Sequence, residues 1–493
     1  MVVPNGGAKD VKAPVVKKST PKSKSTNFQS DQIEIEFDEY IVLKDIQNQF
    51  IMSPGNKKTE INKKGKKLEV KFIDGLDSNT TYILNFGNGI SDYTENNIYK
   101  DFKFIFSTGA EIDTLTLNGK LIDAFTKEAQ KDVLICLYTD INNDSVFMKQ
   151  KPNYTVRTKE NGEYVFTNLK KNTYKIFALK ESNNNKYYDS NDEQIAFYES
   201  FINLDSNTRL NDLKLFNEIP SKLKVLNKDN QYQKTVLAFN KKNTSYTITD
   251  KFNNIDTLIY SKNIDTCTIY YKEKRDTNLV YIQHVNGIET LNLKLSKSIK
   301  KKGFNLVIHN EIVNDTCTVY SNDLFEINRK DSVLLYEDSI PVSYTLKKTE
   351  FDKYYLIYPF NKLKKYELVI KDSAFVDYQN QVNAKMKQLL KFYEAEDYGT
   401  LKLVMEIGAE NKIVELLNDK NITVRKSIFT KDGTVYYTKL NPGQYRIRVI
   451  NDVNSNAYWD TGNLLKKIQA EEVYYYTNPI KIRANWDAEV ILK

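Results

Sequence analysis

The sequence predicts an all-β chain built of tandem β-sandwich modules. Three observations carry that expectation. Short runs alternate apolar and polar residues: Ile33, Ile35 and Phe37 around Glu34 and Glu36, then Leu68, Val70 and Phe72, then Phe102, Phe104 and Phe106. That is the period of a strand with one buried face. Strand formers are abundant, with 34 Tyr and 24 Phe against 17 Gly, while Asn, Asp, Lys and Ser supply turns. Finally, the chain repeats itself. Residues 160–189 align without a gap onto 431–460, pairing Gly162 with Gly433, Leu169 with Leu440, Tyr174 with Tyr445, Ile176 with Ile447 and Asp189 with Asp460. Self-similarity at long spacing marks a modular chain.

At 493 residues the chain exceeds one core, and about 100–150 residues per domain gives roughly four or five domains. The one stretch with helical character is 383–393. Neither His284 nor His309 sits in a sequence pattern that supplies a catalytic or metal-ligating neighbour. Three cysteines, Cys136, Cys267 and Cys317, exclude a disulfide-rich scaffold and a cysteine-rich zinc site. Cys267 and Cys317 sit in near-identical Asp-Thr-Cys-Thr strings. They read as small apolar residues in equivalent strands, and a disulfide would need those strands to be neighbours. The net charge of +8 is mostly lysine. Lys57, Lys58, Lys63, Lys64, Lys66 and Lys67 surround an expected hairpin, and Lys297, Lys300, Lys301 and Lys302 precede Gly303. They read as solvated turns and edge-strand gatekeepers. Acidic residues are nearly as frequent, so no nucleic-acid partner is expected. No apolar run approaches the roughly 20 residues that span a membrane.

Residues 1–27, rich in Lys and Ser, read as a flexible tether, and a chain opening on its linker is expected to have lost a processed leader. The first module spans 28–110. Within it Tyr82 is expected to form a tyrosine corner, its hydroxyl bonded to nearby backbone. Three strings carry a resemblance: Ile-Glu-Ile-Glu-Phe-Asp-Glu-Tyr-Ile at 33–41, Asn-Thr-Thr-Tyr-Ile-Leu-Asn-Phe-Gly-Asn-Gly-Ile-Ser-Asp at 79–92, and Phe-Ser-Thr-Gly at 106–109. The chain resembles the bacterial Ig-like domain also found in surface-layer proteins. With Gly6-Gly7-Ala8-Lys9-Asp10 and Pro14 it resembles Ig-like-domain envelope lipoproteins of the Bacteroidota. In that family the Gly-Gly-x-Lys-Asp segment closely follows a lipidated cysteine; here no cysteine precedes Cys136. The resemblance implies a lipid anchor at the outer membrane, on its periplasmic or cell-surface face, and envelope protein partners.

The second module, 111–215, holds a fully apolar strand at 133–138 and a hairpin signal at Asn161-Gly162. Its strand order resembles the transthyretin-like, or carboxypeptidase-regulatory-like, sandwich. Residues 216–322 read as a further Ig-like sandwich and 323–395 as a divergent Ig-like one, in which 363–377 echoes 76–92. Residues 396–493 are the second transthyretin-like copy. Loop 181–189 offers oxygens at Glu181, Asn183, Asn185 and Asp189, and its copy offers Asp452, Asn454, Asn456 and Asp460. Calcium would suit such spacing. However, each loop has only two carboxylates and no Gly at the tight turn, so an Asx-rich turn is the reading, with no metal or cofactor assigned.

No catalytic motif is present: no nucleophile elbow, phosphate loop or His-Glu-x-x-His. The expectation is a non-enzymatic structural or assembly component with protein partners at the outer membrane. The alternative is an extracellular carbohydrate- or ligand-binding protein. The first predicts edge strands, flat surfaces and a stable partner. The second predicts an aromatic groove in the last module, where Trp459, Trp486 and Tyr474 to Tyr476 gather. The match of Trp459 to Tyr188 favours a buried scaffold position for that indole.

Overall fold

The computed structural model describes residues 10–492, apart from 56, 190–192, 219–222, 232–233, 241–245, 251–257, 263–264, 272–276, 285–286, 295, 297–303, 314, 322, 351, 393, 407 and 409–410. The expected motif at Gly6–Lys9 and the lysines at 297 and 300–302 lie outside these residues. What is described is all-β: tandem sandwiches, each with its own apolar core.

Alternation becomes burial in the first unit. One sheet runs Val16–Thr20, Gln32–Phe37, Lys67–Phe72, Thr59–Lys64, and faces a second of Ile51–Ser53, Thr81–Gly87 and Phe102–Ser107. Ile33, Ile35, Phe37, Leu68 and Val70 meet Phe86, Phe104 and Phe106 in one core. The lysine hairpin turns at Gly65, where φ is +64°, and Thr59–Lys64 is the edge strand expected to need gatekeepers. Lys57 pairs with Asp77 at 2.7 Å and Lys67 with Glu34 at 2.8 Å.

The tether expected over 1–27 is corrected in its described part. Val16–Thr20 pairs antiparallel with Gln32–Phe37. Beyond it the N–H groups of Asn27 and Phe28 donate to the carbonyls of Gly109 and Ser107 at 2.8 and 3.0 Å. An edge strand contributes backbone hydrogen bonds while its side chains stay largely in water, so Lys and Ser suit it as well as they suit a linker.

The tyrosine corner forms. The Tyr82 hydroxyl accepts the N–H of Asp77 at 2.8 Å, and burial pushes its pKa up to about 12. The fourth unit repeats the device: Tyr366 accepts the N–H of Asn361 at 2.9 Å. The echo extends further. Asp92 accepts the N–H groups of Glu95, Asn96 and Asn97, and Asp377 accepts those of Gln379 and Gln381.

In the second unit the strand path is Tyr154–Arg157, Leu134–Tyr138, Asn172–Lys180, Gln194–Phe197, Leu213–Asn217, Leu115–Asp123, Glu163–Leu169. Gly119 sits directly opposite Tyr164 in the ladder. A Cβ there would lie 2.5 Å from the Tyr164 hydroxyl oxygen, so the glycine makes room for a buried ring.

Two further expectations change in the middle of the chain. The boundary at 322 moves toward the N-terminus, because Leu306–Val313 and Thr316–Ser321 belong to the eight-stranded sheet of the fourth unit. Cys317 and Val319 lie in that unit's core with Phe325 and Leu356. The helix expected at 383–393 is instead the strand Met386–Phe392, paired with Tyr366–Ile370. Cross-strand pairing and inward-facing Leu390 outweigh the helix propensity of Met, Gln, Lys and Leu. The three cysteines are buried and form no disulfide, and Cys267 and Cys317 lie in different cores. Burial pushes the Cys317 thiol up to about 12.

Gly119→Ala should destabilise the protein by about 1–3 kcal/mol, the range for overpacking, read as a lower urea midpoint. An unchanged midpoint would mean the Tyr164 ring does not occupy that space. Tyr82→Phe, which orphans a backbone N–H, should cost about 1–2 kcal/mol in the same assay.

Candidate functional site

The residues with most to bind lie where the two repeated sandwiches meet. The strand Leu134–Tyr138 is buried on both faces. Ile135 and Leu137 enter the interior core. Leu134, Cys136 and Tyr138 point the other way, into a cluster with Phe147, Phe177, Phe197 and Phe216. That cluster is closed by Leu464 and Ala470 of the last unit, each only 5% exposed. The two copies are therefore docked against each other.

The repeat explains how the docking arm arises. In the first copy the loop carboxylate Glu193 accepts the N–H of Asp189, four residues earlier. In the second, Glu471 accepts the N–H of Asp460, eleven residues earlier. The stretch between these partners, 461–470, is ten residues long against three in the first copy, and it forms an arm that reaches across. Gly462 fits against Phe216, whose ring atom would lie 2.4 Å from an added Cβ. Thr461 Oγ1 donates to the Asn217 carbonyl at 2.5 Å. Gln469 Nε2 donates to the Phe197 carbonyl at 3.0 Å. Glu218 joins the copies: Oε2 accepts from Tyr188 and Oε1 from the Leu464 N–H.

A second set of contacts comes from the turn after Leu115–Asp123. Asp123 Oδ1 accepts the N–H groups of Phe125 and Thr126 at 2.9 and 2.7 Å. This sets Phe125 against Trp459, centroids 4.9 Å apart, and beneath the Arg448 guanidinium at 4.2 Å. Lys127 and Lys214 both pair with Glu472, the former at 3.6 Å. Burial lowers both lysine pKa values, and for Lys214 repulsion by Lys127 adds to it. At the far end Asp144 accepts from Lys467 at 3.1 Å and Lys175 at 3.3 Å. Lys467 and then Lys175 hold its carboxyl below the usual 3.8. That contribution to docking is complete above 3.8 and is lost as pH falls through the depressed value.

The two Asx loops have the same internal network. Asn183 and Asn185 donate to Asp189 through their side-chain nitrogens, as Asn454 and Asn456 do to Asp460. The amide oxygens in turn accept backbone N–H groups: Asn185 from Tyr187 at 2.7 Å, and Asn456 from Tyr458 at 2.8 Å. These oxygens are engaged by donors, as in an Asx-rich turn. Among the described residues, no group of three or more His, Cys, Asp or Glu could hold a metal ion. Tyr174 and Tyr445 also match, each donating to a carbonyl four residues back at 2.8 Å. Trp459 is partly buried at the joint, with Nε1 donating to the Glu471 carbonyl at 2.9 Å, whereas Trp486 is exposed.

Beside the joint runs an open groove of about 970 Å³. Its floor is the outer face of Leu115–Asp123 and Leu213–Asn217, with Lys120, Ile122 and Lys214. Its wall is the last unit's strand Val473–Tyr475. Tyr474 is 53% exposed here. The sequence pointed to the tyrosine run but not to its partners, which come from another unit. The apolar strand at 133–138 was the available signal that a second cover existed.

Gly462→Leu should undock the arm and raise the radius of gyration in solution scattering. Glu472→Lys should loosen the joint, and adding Lys127→Glu with Lys214→Glu should restore it. A compact Gly462→Leu variant would contradict the docking. Millimolar calcium added to chelator-treated protein should leave the melting temperature unchanged; a rise of several degrees would show a metal-bound loop.

The family model for the bacterial Ig-like domain matches residues 10–108, a span that includes the corrected N-terminal strand. No curated protein matches the chain. Among solved structures, the Bacillus anthracis TIE protein is similar at 11% identity, over 99% of this chain and 75% of that one, with a TM-score of 0.15. BcpA, the major pilin subunit of Bacillus cereus, is similar at 8% identity over 77% and 99%, TM-score 0.14. The Bacteroides ovatus mixed-linkage glucan utilization locus protein SGBP-B, solved with a heptasaccharide, is similar at 11% over 75% and 96%, TM-score 0.17. At such scores these likenesses carry no argument about ligand or partner. The chain thus carries a bacterial Ig-like domain at its start, followed by further β-sandwiches.

Proposed function

We propose that this chain is a non-enzymatic cell-envelope lipoprotein, a modular β-sandwich scaffold that docks protein partners at the outer membrane of a member of the Bacteroidota. The observation that carries the reading is the joint between the second and last units. It ties the two ends of a segment of several sandwiches together and so turns flexible modularity into a frame. Other junctions are also bonded: the Gly55 N–H meets the Asn153 carbonyl at 2.6 Å, Tyr270 meets Asp323 at 2.5 Å, and Tyr398 meets Glu311 at 2.7 Å. A frame held at these junctions supports assembly better than a chain of free domains. The Gly-Gly-x-Lys-Asp segment and the Ig-like match support the envelope assignment.

A second reading, an extracellular carbohydrate-binding protein, is favoured by one observation: the groove walled by half-exposed Tyr474 at the joint. Affinity purification of the membrane-anchored, full-length protein separates the two. The scaffold reading expects a stable envelope protein to co-purify. A protein that emerges alone and binds a glycan would overturn it in favour of the second.

A further inference from the structure

We propose that the groove between the second and last units is a binding site for an acidic oligosaccharide. The proposal deepens the carbohydrate reading and rests on it. Four cations, Lys120, Lys127, Arg209 and Lys214, line the groove against two carboxylates, Asp212 and Glu472. Glu472 is already divided, with Oε1 on Lys214 and Oε2 on Lys127. An ammonium carries three N–H donors, so each lysine keeps donors for a further oxygen. Both lysines are partly desolvated, and although Asp123 lies near Lys127 and Asp212 near Lys214, the four cations of the groove outnumber its two lining carboxylates, so a further anion beside them is electrostatically favoured.

Arg209 lies exposed at the rim, where its planar fork suits a carboxylate. On the last unit's side of the groove Tyr474 offers a half-exposed ring with a polar tip, which suits a sugar ring. The volume of about 970 Å³ lies at the upper end of ordinary ligand sites, roughly 300–1,000 Å³. The lining is mixed: charged heads, the Asn211 amide and tyrosine hydroxyls alternate with Ile122, Leu210, Val473 and the faces of Tyr474 and Tyr475. A negatively charged sugar, with hydroxyl edges and apolar ring faces, matches such a mixture in an open groove better than a peptide that needs deep apolar pockets.

The test is calorimetry on the full chain with hexagalacturonate, neutral cellohexaose and a hexaglutamate peptide. Hexagalacturonate should bind and weaken with added salt. Arg209→Gln and Tyr474→Ala should each weaken it about tenfold, the effect of one lost charge-assisted or stacking contact, with the melting temperature and radius of gyration unchanged. Equal binding of cellohexaose, sensitive to Tyr474→Ala, would overturn the acidic preference while leaving the carbohydrate reading intact. Failure of both sugars to bind would overturn the proposal and that reading together. Hexaglutamate binding more tightly than hexagalacturonate would overturn the choice of a sugar.

Discussion

The outer face of one sheet governs the architecture. Leu134, Cys136 and Tyr138, with Phe147, Phe177, Phe197 and Phe216, form an apolar surface that water cannot be left to cover. Each such side chain gains about 1.5–3 kcal/mol on burial. The cover comes from residues far along the chain, yet closing a loop costs only about 0.6 kcal/mol for each doubling of its length. Burial of a few side chains therefore outweighs the entropy of bringing the arm back. The intervening units are consequently held in a closed circuit rather than strung out.

Duplication supplied both halves of this joint, and divergence made them unlike. The copies keep the same backbone-facing hydrogen bonds: Tyr174 and Tyr445 to carbonyls, and paired asparagines to Asp189 and Asp460. These hold the fold, so they resist change. The surfaces differ. Tyr188 in one copy donates to Glu218, while Trp459 in the other leans on Phe125. The inserted arm occupies a face that the first copy leaves apolar. Had the loops stayed identical, neither copy would have an arm for the other to receive.

Much of the fold was legible because it follows from period-two patterns. Ile33, Ile35 and Phe37 had to share one face, and Tyr82 had a hydroxyl that needed a partner near by. The failures have physical reasons. Val16–Thr20 is an edge strand whose stability lies in its backbone, which composition does not record. Met386–Phe392 is made of helix formers, and only its pairing with Tyr366–Ile370 makes it a strand. Leu306–Val313 looks like its neighbours on either side, so its allegiance to the fourth unit is a matter of contact rather than pattern. The site was less legible still. Lys120 and Tyr474 are meaningless together until the joint forms, and nothing in the local sequence of either announces the other.

The groove and the frame are two consequences of one joint. Its floor belongs to the first copy and its wall to the second, so no ligand sees the complete groove unless the arm is docked. Glu472 is central to both, because it joins the units through Lys127 and Lys214 and sets the charge left over at the groove floor. By linkage, anything that binds the assembled groove more tightly than its separated halves must also stabilise the closed frame. A scaffold and a binding site are therefore compatible roles here: occupancy of the groove and rigidity of the chain draw on the same free energy.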